Sequence, residues 1–179
     1  MSEAAPLLPA FPEFEARWAR GENGLVHARL AADLDTPVSL MLKLAGNRRD
    51  SFMLESVTGG EVRGRYSVVG MKPDLIWQCR GGESRINRQA RFDGDAYAPV
   101  PGHPLTALRA LIAESRIDMP AGLPPIAAGL FGYLGYDMIR LVENLPLTLP
   151  DPLDLPDAVL MRPSVVAVLD GVKGEVTVV

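Results

Sequence analysis

Glu55 and Ser56 stand side by side at the end of the stretch FMLES, a carboxylate and a hydroxyl closing a run otherwise made of Phe52, Met53 and Leu54. The chemistry they offer is ion pairing and hydrogen bonding. Period-2 alternation puts Phe52, Leu54 and Ser56 on one face of a strand and Met53 and Glu55 on the other, so both faces carry an apolar residue followed by a polar one. A strand apolar on both faces is usually buried, and a buried carboxylate or hydroxyl is costly without a hydrogen-bonding partner. Backbone N–H groups of the following turn, or one of Arg63 and Arg65, satisfy that requirement most simply. On composition alone these partners are favoured over a ligand.

Other residue groups that suggest chemistry carry less. Glycines at 129, 132 and 135, interleaved with Phe131, Tyr133 and Tyr136, superficially resemble a phosphate loop. The spacing GxxGxxG lacks the GxG pair of a dinucleotide fingerprint, and no βαβ pattern surrounds it. Glycine inside a strand more often marks a bend, a bulge or the close approach of another backbone or ligand, and GLFGYLGY reads as a bent strand at the core edge. With a single Cys79 and two histidines, His27 and His103, the chain has no internal disulfide and no credible metal cluster.

The elements that must position these residues follow from turn and cap signals. An arm over residues 1–10, rich in Pro and Ala, is expected to be loose. From Phe11 to Gly21 a short helix is predicted, with Pro12 in its first turn and Phe14 and Trp18 one turn apart. LVHARLAADL, residues 25–34, reads as a strand running into a loop. Thr36-Pro37 is a helix start, and the run to Leu44 ends at Gly46; the β-branched Val38 and the dense apolar content leave a strand open there. FMLES and RGRYSVVG then flank the Gly59-Gly60 turn as a hairpin or two neighbouring strands.

Pro73 punctuates the chain, after which DLIWQCR and SRINR form a second hairpin around Gly81-Gly82. The polar segment from Asn87 to Pro104 reads as exposed turns. Pro104 opens the clearest helix, with Leu105, Leu108, Leu111 and Ile112 on its inner face. Asp137 is expected to cap a short helix, MIRLVEN, which Pro146 closes. A proline-punctuated linker leads to a last hairpin, MRPSVVAVLD and GEVTVV, around Asp170-Gly171. Its second strand runs to Val179, from which the chain is expected to be the N-terminal part of a longer protein. The fold class implied is α+β, largely antiparallel β-sheets in a sandwich-like arrangement with a few flanking helices.

The 179 residues, 47% hydrophobic and 22% charged with a net charge of −4, suit one soluble domain over residues 11–179. Basic residues are scattered, which argues against nucleic acid. No apolar run approaches the ~20 residues of a spanning helix, and the start lacks a signal-peptide pattern. Together with the single cysteine this points to the cytoplasm.

The order TPVSLMLKL, FMLESVTGGEVRGRYSVVG, GLFGYLGYDMIRLVENLP and a hydrophobic strand at VVAVLDG resembles the N-terminal domain of anthranilate synthase component I, from about Thr36 to the end. The resemblance implies a regulatory domain of an enzyme that converts chorismate to anthranilate. That enzyme uses Mg²⁺ and takes its ammonia from a glutamine amidotransferase. It further implies that the catalytic motifs lie C-terminal to the matched region, in a chorismate-binding domain of the same protein, so this chain alone has no catalytic residues.

In relatives the LES segment contributes to the pocket for the feedback inhibitor L-tryptophan, and by position Leu54, Glu55 and Ser56 match it. An amino acid offers its ammonium to a carboxylate, its carboxylate to a hydroxyl or N–H, and its side chain to apolar walls. Arg65 serves equally well as a partner for the ligand carboxylate or for Glu55, and Met53 and Tyr66 suit the core better than the pocket wall. The GYLGYD stretch is implied to be a junction with the catalytic domain. Two other readings stand beside this one. One is the equivalent domain of aminodeoxychorismate synthase, against which the glutamate of LES argues. The other is a purely structural or interaction module in which Arg63 or Arg65 satisfies Glu55.

Overall fold

A computed structural model describes residues 5–55, 64–146 and 150–179. In chain order the elements are α1 (Phe11–Ala19), β1 (Ala28–Ala31), α2 (Pro37–Leu44), β2 (Phe52–Leu54), β3 (Tyr66–Arg80), β4 (Glu83–Asn87), β5 (Tyr97–Val100), α3 (Pro104–Glu114), β6 (Phe131–Leu134), β7 (Ala158–Asp170) and β8 (Glu175–Val178). Single 3-10 turns occupy Pro125–Ala127 and Tyr136–Leu141. The strands hydrogen-bond in the order β1-β8-β7-β3-β4-β5, with β2 added to β3 and β6 to β7. The ladders β1–β8, β2–β3, β3–β4, β4–β5, β6–β7 and β7–β8 are all antiparallel. This is the α+β class with an antiparallel sheet that the sequence implies.

The chain forms two compact units. The first comprises Met1–Lys72, Ile117–Ala128 and Ser164–Val179, and the second Pro73–Arg116 and Gly129–Pro163. The long strands β3 and β7 each contribute one part to either unit, and both change unit at a proline, Pro73 and Pro163.

In the first unit α2 begins as its sequence dictates. Thr36 Oγ1 accepts from Ser39 N at 3.1 Å and Ser39 Oγ accepts from Thr36 N at 2.9 Å, a reciprocal capping box, with Pro37 in the first turn. Gly46 follows the helix at φ 55°, a left-handed stop. Leu40 and Ala45 of this segment pack with Val69, Met71, Ala167 and Leu169 in the core of the unit. β8 joins β7 through the tight turn after Asp170 and also pairs with β1, so the strand GEVTVV is flanked on both sides. In the N-terminal arm, Leu8 N donates to His27 O and His27 N to Leu8 O, both at 2.8 Å.

The second unit is built on Leu75, Trp77 and Cys79 of β3, which pack with Leu108 and Leu111 of α3 and Ala158 of β7. Burying side chains of this size contributes on the order of 1.5–3 kcal/mol each. The β3–β4 hairpin turns at Gly81 and Gly82, both at positive φ (56° and 83°), as the paired glycines predict. On α3, Leu108 and Leu111 are buried as expected, whereas Ile112 is 48% exposed.

Three local expectations are corrected. Pro73 does not end a strand: β3 continues past it, with Lys72 at φ 51° and its carbonyl accepting from Ser164 Oγ at 2.6 Å. The polar segment after Asn87 contains a strand, β5, since Tyr97 and Ala98 pair with Asn87 and Ile86 despite Pro99. The fully buried Asn87 organises the intervening loop, donating to Asp93 O at 2.7 Å and accepting from Gln89 N at 2.8 Å. Finally, the helix expected over MIRLVEN is replaced by a 3-10 segment, Tyr136–Leu141, without a side-chain cap; Asp137 instead pairs with Arg140 at 3.0 Å.

Candidate ligand-binding segment at the end of β2

β2 is three residues long and, among the described residues, its ladder is with β3: Phe52 faces Gly70, Met53 faces Val69 and Leu54 faces Val68. The match of Phe52 to Gly70 is steric. A Cβ on Gly70 would lie 2.3 Å from the Phe52 ring, so glycine opens the space the ring occupies. Met53 is half-buried and packs on the core of the first unit, the role its sequence position favours.

Beyond Met53 the strand comes out to solvent. Leu54 is 48% exposed and Glu55, past the last ladder pair, is exposed. This corrects the expectation of a buried carboxylate. The β2–β3 ladder stops at Leu54, which releases Glu55 from alternation altogether. Glu55 therefore presents a carboxylate next to an apolar side chain, available to an external group. Ser56, the third residue of the segment, lies outside the described residues, as does Arg63.

Arg65 is fixed by a residue that sequence reasoning did not connect to it. Its Nε donates to Asp170 Oδ1 at 2.9 Å and its Nη2 to Asp170 Oδ2 at 2.6 Å, a bidentate fork. Asp170 Oδ1 also accepts from Val172 N at 3.1 Å and Lys173 N at 3.2 Å, and Gly171 N donates to Arg65 O at 3.0 Å. The guanidinium further lies 5.1 Å from the centroid of the Tyr66 ring. The Arg65 guanidinium, opposed by burial and aided by the two turn amides, holds the Asp170 carboxyl below the usual carboxylate range. Backbone and side chain of Arg65 are thus both tied to the β7–β8 turn. The fork is made with Asp170, a residue that the sequence reading, which weighs Glu55 and a ligand carboxylate for Arg65, does not include. The only sequence signal for Asp170 was the Asp-Gly turn in which it sits, and nothing local links it to a residue 105 positions away.

The GLFGYLGY stretch resolves as β6 pairing with β7. At Gly132, with φ 153°, a Cβ would lie 1.9 Å from Val159 O, and at Gly135 it would lie 2.8 Å from Asp157 O. Close approach of a neighbouring backbone is what these glycines serve. Tyr133 extends the same contact, its hydroxyl donating to Pro156 O at 2.9 Å. Nearby Cys79 is buried, and burial, then the Asp157 charge, push its thiol up, which makes it a structural rather than reactive cysteine.

Fold and segment together define an α+β, antiparallel-sheet module carrying an exposed acidic strand end. No family model matches the chain. It is 78% identical over 172 residues to anthranilate synthase component 1 of Cereibacter sphaeroides, covering 96% of this chain and 34% of that protein. It is 37% identical over 153 residues to anthranilate synthase component 1 of Mycolicibacterium smegmatis, covering 84% of this chain and 28% of that protein. The crystal structure of anthranilate synthase component I from Streptococcus pneumoniae matches with a TM-score of 0.52 at 20% identity, over 87% of this chain and 31% of that one, a likeness of fold. The chain belongs with the anthranilate synthase component 1 proteins, and it spans about a third of the length of the curated relatives it matches.

Proposed function

We propose that this chain is the regulatory part of an anthranilate synthase of tryptophan biosynthesis, a cytoplasmic lyase, and that L-tryptophan binds as feedback inhibitor against Leu54, Glu55 and Ser56. The observation that carries the reading is the position of Leu54 and Glu55: both are exposed at the end of β2, an apolar side chain beside a carboxylate with no ladder partner. That combination suits an amino acid with an aromatic side chain, the carboxylate taking its ammonium and the leucine one face of its indole. Arg65, held by Asp170, positions the strand that begins beside the segment; its role toward the ligand is to keep that strand in place.

The conversion of chorismate and glutamine-derived ammonia to anthranilate belongs, in this reading, to a chorismate-binding domain of the same protein working with a glutamine amidotransferase. Among the described residues no three His, Cys, Asp or Glu side chains come together as a metal site, and the Mg²⁺ that the family implies belongs, in this reading, to the full-length enzyme. No helix among the described residues is long and apolar enough to cross a membrane. The test is calorimetric titration of the full-length protein with tryptophan, phenylalanine and chorismate. Tryptophan binding that Glu55→Ala or Ser56→Ala removes, while chorismate binding persists, supports the proposal; tryptophan binding indifferent to both changes refutes it.

A further inference from the structure

Asn23-Gly24 is the one Asn-Gly pair in the chain; the other asparagines, Asn47, Asn87 and Asn144, precede Arg, Arg and Leu. Both residues of the pair are exposed, and residues 22–26 belong to no helix, strand or turn. Among the described residues no hydrogen bond ties down Gly24 N. Without a Cβ, the glycine lets its amide approach the side chain before it. The last turn of α1 brings a cation to the same place. Arg17 Nη2 donates to Asn23 O at 3.4 Å, and a Cβ on Gly24 would lie 3.9 Å from Arg17 Nε. Glu22 is forked by Arg20 at 2.5 and 2.9 Å and reaches Arg17 only at 3.7 Å, so it does not draw the guanidinium away from Asn23.

We infer that Asn23 is a site of spontaneous covalent modification, deamidation through a cyclic imide, and that Arg17 promotes it. The Gly24 amide gives its proton to water or hydroxide and its nitrogen attacks Asn23 Cγ. The Cγ–Nδ2 bond breaks, and Nδ2 takes up a proton and leaves as ammonia. Water then opens the ring at one of its two carbonyls. Opening at Cγ leaves aspartate; opening at the main-chain carbonyl leaves isoaspartate, with the backbone running through the former side chain. The net reaction consumes one water, releases one ammonia and changes no oxidation state. Resonance places much of the charge of the deprotonated amide on the oxygen of the same peptide unit. That oxygen is Asn23 O, the atom Arg17 contacts, so the permanently charged guanidinium stabilises the attacking form. The Asp170-Gly171 pair is the contrast. Arg65 holds the Asp170 carboxylate, and Gly171 N donates to Arg65 O at 3.0 Å, so neither reacting group is free.

The experiment is ageing of the full-length protein in mildly alkaline buffer. Peptide mapping by mass spectrometry reads the amide-to-acid exchange, and methyl transfer from S-adenosylmethionine by an isoaspartyl methyltransferase reads the isoaspartate. Asn23 is expected to convert first among the four asparagines, mainly to isoaspartate, and in the folded protein at least as fast as in urea. Arg17→Gln should slow the folded-state conversion by about two- to fivefold, the worth of an exposed charged contact expressed as a rate. Arg17→Lys should restore most of it, and Gly24→Ala should slow it more than Arg17→Gln does. In urea, where the contact is absent, the Arg17 variants should match the wild type. An Asn23 still intact after another asparagine has converted overturns the inference, as does a folded-state rate well below that in urea. A rate unchanged by Arg17→Gln, or lowered by it equally in urea, overturns the part assigned to the guanidinium.

Discussion

Arg65 and Asp170, 105 residues apart, form a bidentate ion pair that fastens the start of β3 to the β7–β8 turn, with N–O distances of 2.9 and 2.6 Å. Side-chain exposures of 27% and 12% place it between a surface bridge, worth little, and a buried one, where removing a partner is costly. The pair fixes Arg65, and with it the start of β3, against the β7–β8 turn.

Asp170→Asn is expected to destabilise the protein by about 1–3 kcal/mol at neutral pH, since Arg65 loses its charged partner. The pH dependence follows from the depressed folded-state carboxyl. Its stabilisation is present above the unfolded value of about 3.9 and is lost as pH falls through the lower folded one. Thermal melts from pH 7 to pH 3 check this: the wild-type midpoint should fall more steeply below about pH 4 than that of the variant. Parallel curves would show that the pair contributes nothing.

Gly132→Ala is expected to cost at least about 3 kcal/mol, combining backbone strain with a lost β6–β7 contact. The added methyl meets the Val159 carbonyl at 1.9 Å, an atom of the neighbouring strand with nowhere to go. Gly81→Ala is the control: φ is likewise positive, at 56°, but nothing lies within 4 Å, so only the strain of about 1–2 kcal/mol applies. Chemical denaturation of the two variants separates the effects. Any functional change in Gly132→Ala therefore reports first on the broken β6–β7 pairing.

Arg162→Ala is expected to cost about 1–2 kcal/mol in the second unit, and Arg162→Lys to recover little of it, because a lysine cannot reproduce a two-pronged contact. Arg162 donates through Nε and Nη2 to both Asp74 oxygens, at 2.9 and 2.8 Å, and through Nη1 to Ser115 Oγ at 3.3 Å. Asp74 is 46% exposed, so salt should weaken part of the effect. Denaturant midpoints at low and high ionic strength measure both statements.

What was legible in the sequence was local. Thr36-Pro37 with Gly46, Gly81-Gly82 and Asp170-Gly171 each mark a boundary by backbone chemistry, and the structure turns or caps at all of them. What was not legible depends on distant partners. β3 passes Pro73 with Lys72 in a left-handed conformation backed by Ser164, and YAPV becomes a strand because β4 offers it a ladder. The candidate segment shows the same division. Its residues were visible as a polar end to an apolar run. The exposure of Leu54 and Glu55 follows from where the β2–β3 ladder ends, and the fixing of Arg65 from Asp170, neither of which is encoded within the segment.

The central claim, that Leu54, Glu55 and Ser56 receive L-tryptophan, is tested most directly by titrating tryptophan into full-length wild-type protein and its Glu55→Ala variant by calorimetry. The account predicts saturable heat in the wild type and at least about a tenfold weaker affinity in the variant, the loss of a charge-assisted contact. Equal affinity in the two proteins would contradict it.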